Sequence, residues 1–95
     1  MNSTEKRQNP ARDPYNITLD FTILLTKGAE FMRVAARGET VDKSPAGIGI
    51  ITDFPLEAGH VLRWNDQNNK KILYLGLVKW SLQINNRYRA GLLLI

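Results

Sequence analysis

The chain has 95 residues, of which 43% are hydrophobic and 23% are charged, a composition typical of one small soluble domain. It contains no cysteine, which excludes a disulfide framework and a thiolate metal site. The formal net charge of +4 favours an anionic partner, while the scattered basic residues argue against a protein that coats nucleic acid.

The N-terminal segment 1–14, MNSTEKRQNPARDP, has almost no apolar side chains and predicts a flexible arm. It lacks the apolar stretch of a secretory signal, and no run in the chain approaches the length of a membrane span. We therefore expect a cytoplasmic protein without a membrane span, divided into an arm over 1–14 and one domain over 15–95.

Alternation of apolar and polar residues with a period of two dominates the remainder and predicts six strands. In 16–25, NITLDFTILL, the odd positions are apolar, and in 31–41, FMRVAARGETV, Met32, Val34 and Ala36 are expected to face inward. The other strands are predicted at GIGIIT (47–52), HVLRW (60–64), ILYLGLVKWSL (72–82) and RYRAGLLLI (87–95). The segment 72–82 is apolar enough to predict a strand covered on both faces. Six short strands without a helix indicate a small all-β antiparallel barrel or sandwich, and closure into a barrel would remove sticky sheet edges.

Groups that could catalyse a reaction are scarce. His60 is the single histidine and lies beside a turn glycine, where a surface role is the stronger interpretation. Ser44 has no histidine or lysine in a nucleophile pattern, and Asp42, Asp53 and Asp66 fall on separate predicted turns without metal-ligand spacing. We therefore expect a binding module with no catalytic residue, no metal and no cofactor.

One predicted turn carries polar residues at fixed offsets. Residues 42–47, DKSPAG, read as D-x-S-x-x-G and are followed by alternating Ile-Gly-Ile. This segment resembles the signature of the PilZ domain family, small β-barrels that bind the bacterial second messenger cyclic di-GMP. The family's second signature, an upstream R-x-x-x-R pair, is similar to Arg7 and Arg12, although four residues separate these arginines instead of three. The later strands resemble the family in order, although the chain ends on a strand without the C-terminal helix of many relatives.

The resemblance implies a six-stranded antiparallel PilZ-like barrel that binds cyclic di-GMP. The implied ligand-binding residues are Arg7, Arg12, Asp42, Ser44 and Gly47. Arginine can donate two parallel hydrogen bonds to a phosphate or to guanine. The Asp42 carboxylate can accept from the Watson–Crick edge of guanine, Ser44 can donate or accept, and Gly47 lets backbone approach the ligand without a Cβ.

Other basic and aromatic residues are weaker candidates. Lys6 lies next to Arg7 in the predicted arm and is a further candidate for ligand contact. Trp80 falls where some relatives hold a side chain against guanine, although core packing is the favoured interpretation. Arg33 and Arg37 also satisfy R-x-x-x-R. They lie on a predicted strand about 13 Å apart, so a solvated strand face is favoured for them.

Three functions remain open. The first is an effector in which cyclic di-GMP ties the arm to the barrel, a disorder-to-order switch that creates a surface for a downstream protein partner. The second is a degenerate PilZ-like adaptor that no longer binds the nucleotide, which the longer arginine spacing keeps open. The third, a basic barrel for single-stranded nucleic acid, would need exposed aromatic residues on a basic groove and ranks last. No nucleic-acid polymer is therefore expected as a partner.

Overall fold

The structure is a computed structural model that describes residues 13–14 and 17–95. The strands are β1 (Asp13–Pro14), β2 (Thr18–Lys27), β3 (Glu30–Ser44), β4 (Gly47–Thr52), β5 (Val61–Asn65), β6 (Leu73–Ile84) and β7 (Arg87–Leu94). Among these described residues, no helix has the length and apolarity needed to cross a membrane.

Six strands close into a barrel in which every neighbouring pair is antiparallel. Their order around the wall is β3-β2-β5-β6-β7-β4, and β4 pairs back onto β3. The short strand β1 continues the edge of β3 that β2 occupies, with Asp13 opposite Lys43 and Pro14 opposite Asp42. The predicted all-β, six-stranded antiparallel barrel is confirmed.

The inward-facing side chains of the wall form the core. The buried apolar residues are Leu19, Phe21, Ile23, Ile48, Ile50, Leu56, Leu62, Trp64, Val78, Ala90 and Leu92. Leu56 belongs to the connection between β4 and β5, so this loop covers one end of the barrel. Trp64 stacks on Tyr74 with the ring centroids 5.8 Å apart. Because the core occupies the barrel interior, binding chemistry is left to the surface of the barrel.

Two buried threonines fix β3 to its neighbours. The Thr40 hydroxyl accepts a hydrogen bond from the Ile17 amide at 2.9 Å, and the Thr52 hydroxyl donates to the Arg37 carbonyl at 2.8 Å. Both side chains are fully buried. An unpaired buried hydroxyl costs about 1–3 kcal/mol. These bonds therefore hold the central part of β3 in one register.

Two long hairpins extend past the short strands β4 and β5. They are β2–β3 and β6–β7, and since β2 and β6 run in the same direction, both turns lie at the same end of the barrel. Met32 is 40% exposed there, because β4 ends before reaching it. The prediction that β6 is covered on both faces is wrong. β5 pairs only with the first part of β6, and Leu82 and Ile84 beyond it are exposed.

Candidate functional site

The D-x-S-x-x-G segment forms a tight hairpin. Asp42 and Ser44 belong to β3, Gly47 begins β4, and Ser44 and Gly47 are Cα partners. The turn is therefore only Pro45 and Ala46, which corrects the predicted turn over 42–47. Since Asp42 and Ser44 are strand residues, the sheet determines which face each side chain takes.

A β-bulge at Val41 directs Asp42 to the outside of the barrel. Thr40 pairs with Ile50, and both are buried, whereas the next pair is Asp42 with Gly49. Val41 is the extra residue, so the inside–outside alternation of β3 reverses after it. Even-numbered positions face inward up to Thr40 and outward from Asp42.

Gly49 makes room for the Asp42 carboxylate. A Cβ on Gly49 would lie 2.5 Å from Oδ1 of Asp42, so a larger residue would displace this oxygen. The other oxygen, Oδ2, lies 3.6 Å from Nη2 of Arg89 on β7. Only 18% of the Asp42 side chain is exposed, against 44% for Arg89. The carboxylate is therefore held close to the wall, with a guanidinium beside it.

A second bulge, at Lys79, directs Trp80 outward. Val78 pairs with Leu92 inside the barrel, and the next pair is Trp80 with Gly91. The indole covers Gly91 so closely that a Cβ there would lie 2.6 Å from Cε2 of Trp80. Trp80 is nevertheless 47% exposed. The core-packing interpretation of Trp80 is wrong, because the bulge turns its side chain to the outside of the barrel.

Both bulges flank one row of outward positions. Asp42, Gly49, Gly91 and Trp80 are successive Cα partners on β3, β4, β7 and β6. We call the outer wall around this row the glycine face. It consists of Asp42, Ser44, Gly47, Gly49, Trp80, Arg89 and Gly91.

A cavity of about 180 Å³ opens on the glycine face. Its lining includes Ser44, Gly47 and Trp80, together with the cationic Lys79. Three predicted site residues therefore share one cavity, and Asp42 lies two positions from Ser44 on the same face.

Gly47 is required by the close approach of another strand. A Cβ at this position would collide with the carbonyl oxygen of Leu92 on β7. Among the described glycines, only Gly28 and Gly59 have a positive φ, so Gly47 does not serve a left-handed turn. Its lack of a side chain keeps this part of the glycine face at the level of the backbone.

The predicted residues Lys6, Arg7 and Arg12 lie outside the described residues, as does most of the predicted arm. Asp13, which follows Arg12 in the chain, is the Cα partner of Lys43. The described part of the chain therefore begins directly beside Asp42 and Ser44.

The second arginine pair, Arg33 and Arg37, lies on the outer face of β3, where β3 pairs with β2. Arg37 is directly opposite Asp20, and its Nε donates a hydrogen bond to Oδ1 of Asp20 at 2.7 Å. This bond lowers the pKa of Asp20 and raises the pKa of Arg37. The two side chains are 72% and 71% exposed, and Arg33 is exposed as well. The pair belongs to a solvated strand face, as the sequence favours.

His60 and Asp66 organise loops. Nδ1 of His60 accepts a hydrogen bond from the Glu57 amide at 3.1 Å. The Asp66 carboxylate accepts hydrogen bonds from the Asn68 and Asn69 amides at 2.9 and 3.0 Å. The bond from Asn68 has the largest effect on the pKa of Asp66, and both bonds lower it. Within 13–14 and 17–95, no three His, Cys, Asp or Glu side chains are grouped to hold a metal ion.

Three residues of the glycine face, Gly49, Gly91 and Arg89, are not among the site residues predicted from sequence. The glycines carry a usable signal, since a single glycine inside an apolar strand indicates close approach of another group. Arg89 carries no local signal. It meets Asp42 across β4, and that contact depends on the register of three strands.

Comparison with known proteins identifies no relative, since no family model, curated protein or solved structure matches the chain. The arrangement of the glycine face is therefore the main guide to function.

Proposed function

We propose that this protein is a PilZ-like receptor for cyclic di-GMP that acts in the bacterial cytoplasm and leaves the ligand chemically intact. The observation that supports this best is the meeting of Asp42, Ser44, Gly47 and Trp80 on one outer face. Trp80 is far from the hairpin in sequence, yet it lines the same cavity as Ser44 and Gly47. A face that combines a carboxylate, a hydroxyl, glycines without side chains and an aromatic ring suits a purine base.

Each group has a role toward guanine. The Asp42 carboxylate accepts hydrogen bonds from N1–H and the 2-amino group, and the Ser44 hydroxyl donates or accepts at short range. The absence of a side chain at Gly47 lets β7 approach β4 closely and so shapes the wall of the cavity that receives the base. The indole of Trp80 offers an apolar surface beside the base, a contact that every purine can make.

The phosphates are assigned to Arg7 and Arg12, with Lys6 as an additional cation. Arginine binds phosphate through two parallel hydrogen bonds. The pairing of Asp13 with Lys43 supports this assignment, because Asp13 follows Arg12 and lies beside the glycine face. A ligand that contacts both segments ties the arm to the barrel, and part of the binding free energy offsets this ordering. The resulting surface is what a downstream protein partner would recognise.

Calorimetric titration of the full chain with cyclic di-GMP tests the proposal. We expect saturable binding, with the ligand recovered unchanged by chromatography. Asp42→Ala should weaken binding about tenfold or more, since a hydrogen bond to a charged group contributes about 1.5–3 kcal/mol. Asp53→Ala is the matched control, because Asp53 pairs with an arginine of β7, Arg87, at 3.0 Å and does not belong to the glycine face. Absence of saturation with folded protein would refute binding, and hydrolysis would refute the non-enzymatic role.

Backbone dynamics test the role of the arm. We expect amide NMR signals of residues 5–12 to lose fast motion when cyclic di-GMP saturates the protein, with a boundary near Pro14. Unchanged fast motion at saturation would mean that Arg7 and Arg12 do not hold the ligand.

A degenerate PilZ-like adaptor that does not bind the nucleotide is the second candidate. Trp80, Leu82 and Ile84 form an exposed apolar strip on the outer wall of β6, with 47%, 57% and 42% of their surfaces accessible. An exposed apolar strip is typical of a protein interface. Failure of cyclic di-GMP to bind folded protein would favour this alternative.

A further inference from the structure

We infer that Arg89 acts together with Asp42 to read one guanine base of the ligand. In this inference, which rests on the proposed function, Asp42 accepts from N1–H and the 2-amino group while Arg89 donates to O6 and N7. Arg89 is thus a specificity-determining residue outside both signature motifs.

The sheet brings Arg89 to the guanine-reading carboxylate. Asp42 pairs with Gly49 and Arg89 pairs with Ile51, so the two side chains approach diagonally over β4. Gly49 has no side chain to separate them, and Nη2 of Arg89 lies 3.6 Å from Oδ2 of Asp42. Any base edge placed on the carboxylate therefore also lies beside the guanidinium.

The order of donors and acceptors on the pair matches guanine. Along its edges guanine presents two donors, the 2-amino group and N1–H, followed by two acceptors, O6 and N7. The Asp42 carboxylate supplies two acceptors, and the Arg89 guanidinium supplies parallel donors in a fixed plane. Adenine instead has a donor at position 6 and an acceptor at N1. It would set a donor against the guanidinium and an acceptor against the carboxylate, which disfavours binding.

Two other arginines of the described chain, Arg87 and Arg37, form shorter ion pairs elsewhere. Arg87, two positions along β7 on the same face, lies 3.0 Å from Asp53, and Arg37 lies 2.7 Å from Asp20. At 3.6 Å, the Arg89–Asp42 contact is a charge interaction longer than a good hydrogen bond. The Arg89 guanidinium lies near Asp42 without a short hydrogen bond to it, so its N–H groups can donate to a ligand.

The matched pair Arg89→Gln and Arg87→Gln tests this assignment. We expect Arg89→Gln to weaken cyclic di-GMP binding about tenfold or more, the effect of losing a charge-assisted bond. Arg87→Gln, which removes an equivalent charge from the same strand, should leave the affinity close to that of the wild type. Thermal unfolding followed by circular dichroism establishes that both variants are folded.

An altered ligand separates base reading from mere positioning of Asp42. The probe is a cyclic di-GMP analogue with carbon in place of N7 in both bases. Wild-type protein should bind it more weakly than cyclic di-GMP, and Arg89→Gln should bind the two ligands equally, because the contact to N7 is already lost.

Two results would overturn the inference while leaving the proposed function intact. One is cyclic di-GMP binding by Arg89→Gln at wild-type affinity. The other is a discrimination between the two ligands that is the same in Arg89→Gln and in the wild type, which would reduce Arg89 to a positioning residue. Failure of folded wild-type protein to bind cyclic di-GMP would instead refute the proposed function itself.

Discussion

The strand β3 carries an aspartate–arginine contact on each side, and the two contacts differ in character. Toward β2, Arg37 and Asp20 are directly opposite each other, 2.7 Å apart and more than two-thirds exposed. Toward β4 and β7, Asp42 reaches Arg89 diagonally at 3.6 Å, and its side chain is only 18% exposed. The residue types are the same, but the second carboxylate lies over a glycine that leaves space for it.

The difference shows what a site needs beyond suitable side chains. An exposed ion pair is screened by water and salt and contributes little to binding or stability. A carboxylate fixed against the wall loses fewer conformations when a ligand arrives, which favours affinity. On the glycine face, Gly49 and Gly91 leave the space that the Asp42 and Trp80 side chains occupy.

The largest expected effect separates the two arginine pairs. Arg7→Ala or Arg12→Ala should weaken cyclic di-GMP binding about tenfold to a hundredfold, since each removes a charge-assisted contact to the ligand. Arg33→Ala and Arg37→Ala, on the outer face of β3 beside β2, should change the affinity much less. Titration calorimetry of the four variants measures this. A larger loss of affinity in folded Arg33→Ala than in the arm variants would show that the binding arginines lie on β3 and not in the arm.

Gly49→Ala tests whether the glycine holds Asp42 in position. The new Cβ would meet Oδ1 of Asp42, a movable side-chain end, so the carboxylate should shift while the barrel stays folded. We expect an affinity loss of about tenfold, comparable to the loss of one charge-assisted bond.

A double variant provides the control for Gly49→Ala. Adding Gly49→Ala to Asp42→Ala should cost no further affinity, because both changes remove the same contact. Additive losses in the double variant would show that Gly49 acts independently of Asp42.

Gly91→Ala applies the same reasoning to Trp80. A Cβ at Gly91 would overlap the indole and displace it from the wall. We expect greater quenching of tryptophan fluorescence by iodide and an affinity loss of roughly two- to tenfold, the size of an aromatic contact. In a Trp80→Phe background only the buried Trp64 remains, and Gly91→Ala should then leave the quenching unchanged. A change in iodide quenching in that background would show that the fluorescence signal comes from Trp64 in the core.

The smallest effect concerns pH and the exposed pair over β2. The hydrogen bond from Arg37 lowers the pKa of Asp20 in the folded protein. The stabilisation it provides is therefore present above the pKa of the unfolded chain and lost as the pH falls through the lowered value. Arg37→Ala should raise the Asp20 pKa toward its ordinary value, as measured by carboxyl carbon NMR titration. Equal Asp20 titration midpoints in the wild type and in Arg37→Ala would show that Arg37 does not lower this pKa. High salt should reduce any difference between the two midpoints.

The strands were predictable from sequence because alternation is a local property. The apolar positions of 16–25 and the glycine, proline and asparagine between segments locate the elements without knowledge of their partners. One error arises where a strand extends beyond its neighbour. Nothing local indicates that β5 covers only the beginning of β6, so the exposure of Leu82 and Ile84 required the three-dimensional pairing.

The candidate site was predictable in part. The D-x-S-x-x-G spacing identified Asp42, Ser44 and Gly47, and the structure places all three on one face. The outward position of Trp80 was not predictable from alternation, because one inserted residue reverses it. Arg89 was hidden for a different reason, since its relation to Asp42 exists only after β3, β4 and β7 have aligned.

The bulges at Val41 and Lys79 also bear on how this chain tolerates changes in length. Deleting one residue inside a strand normally transfers every later side chain to the opposite face. Val41 and Lys79 are exceptions, because each is the unpaired residue of its bulge, and its loss leaves Asp42 opposite Gly49 or Trp80 opposite Gly91. A lost codon at either position therefore alters the angle at which the side chain is presented and preserves the face on which it lies. A single-codon deletion in descendants of this gene can thus change the angle of Asp42 or Trp80 on the glycine face while keeping the barrel.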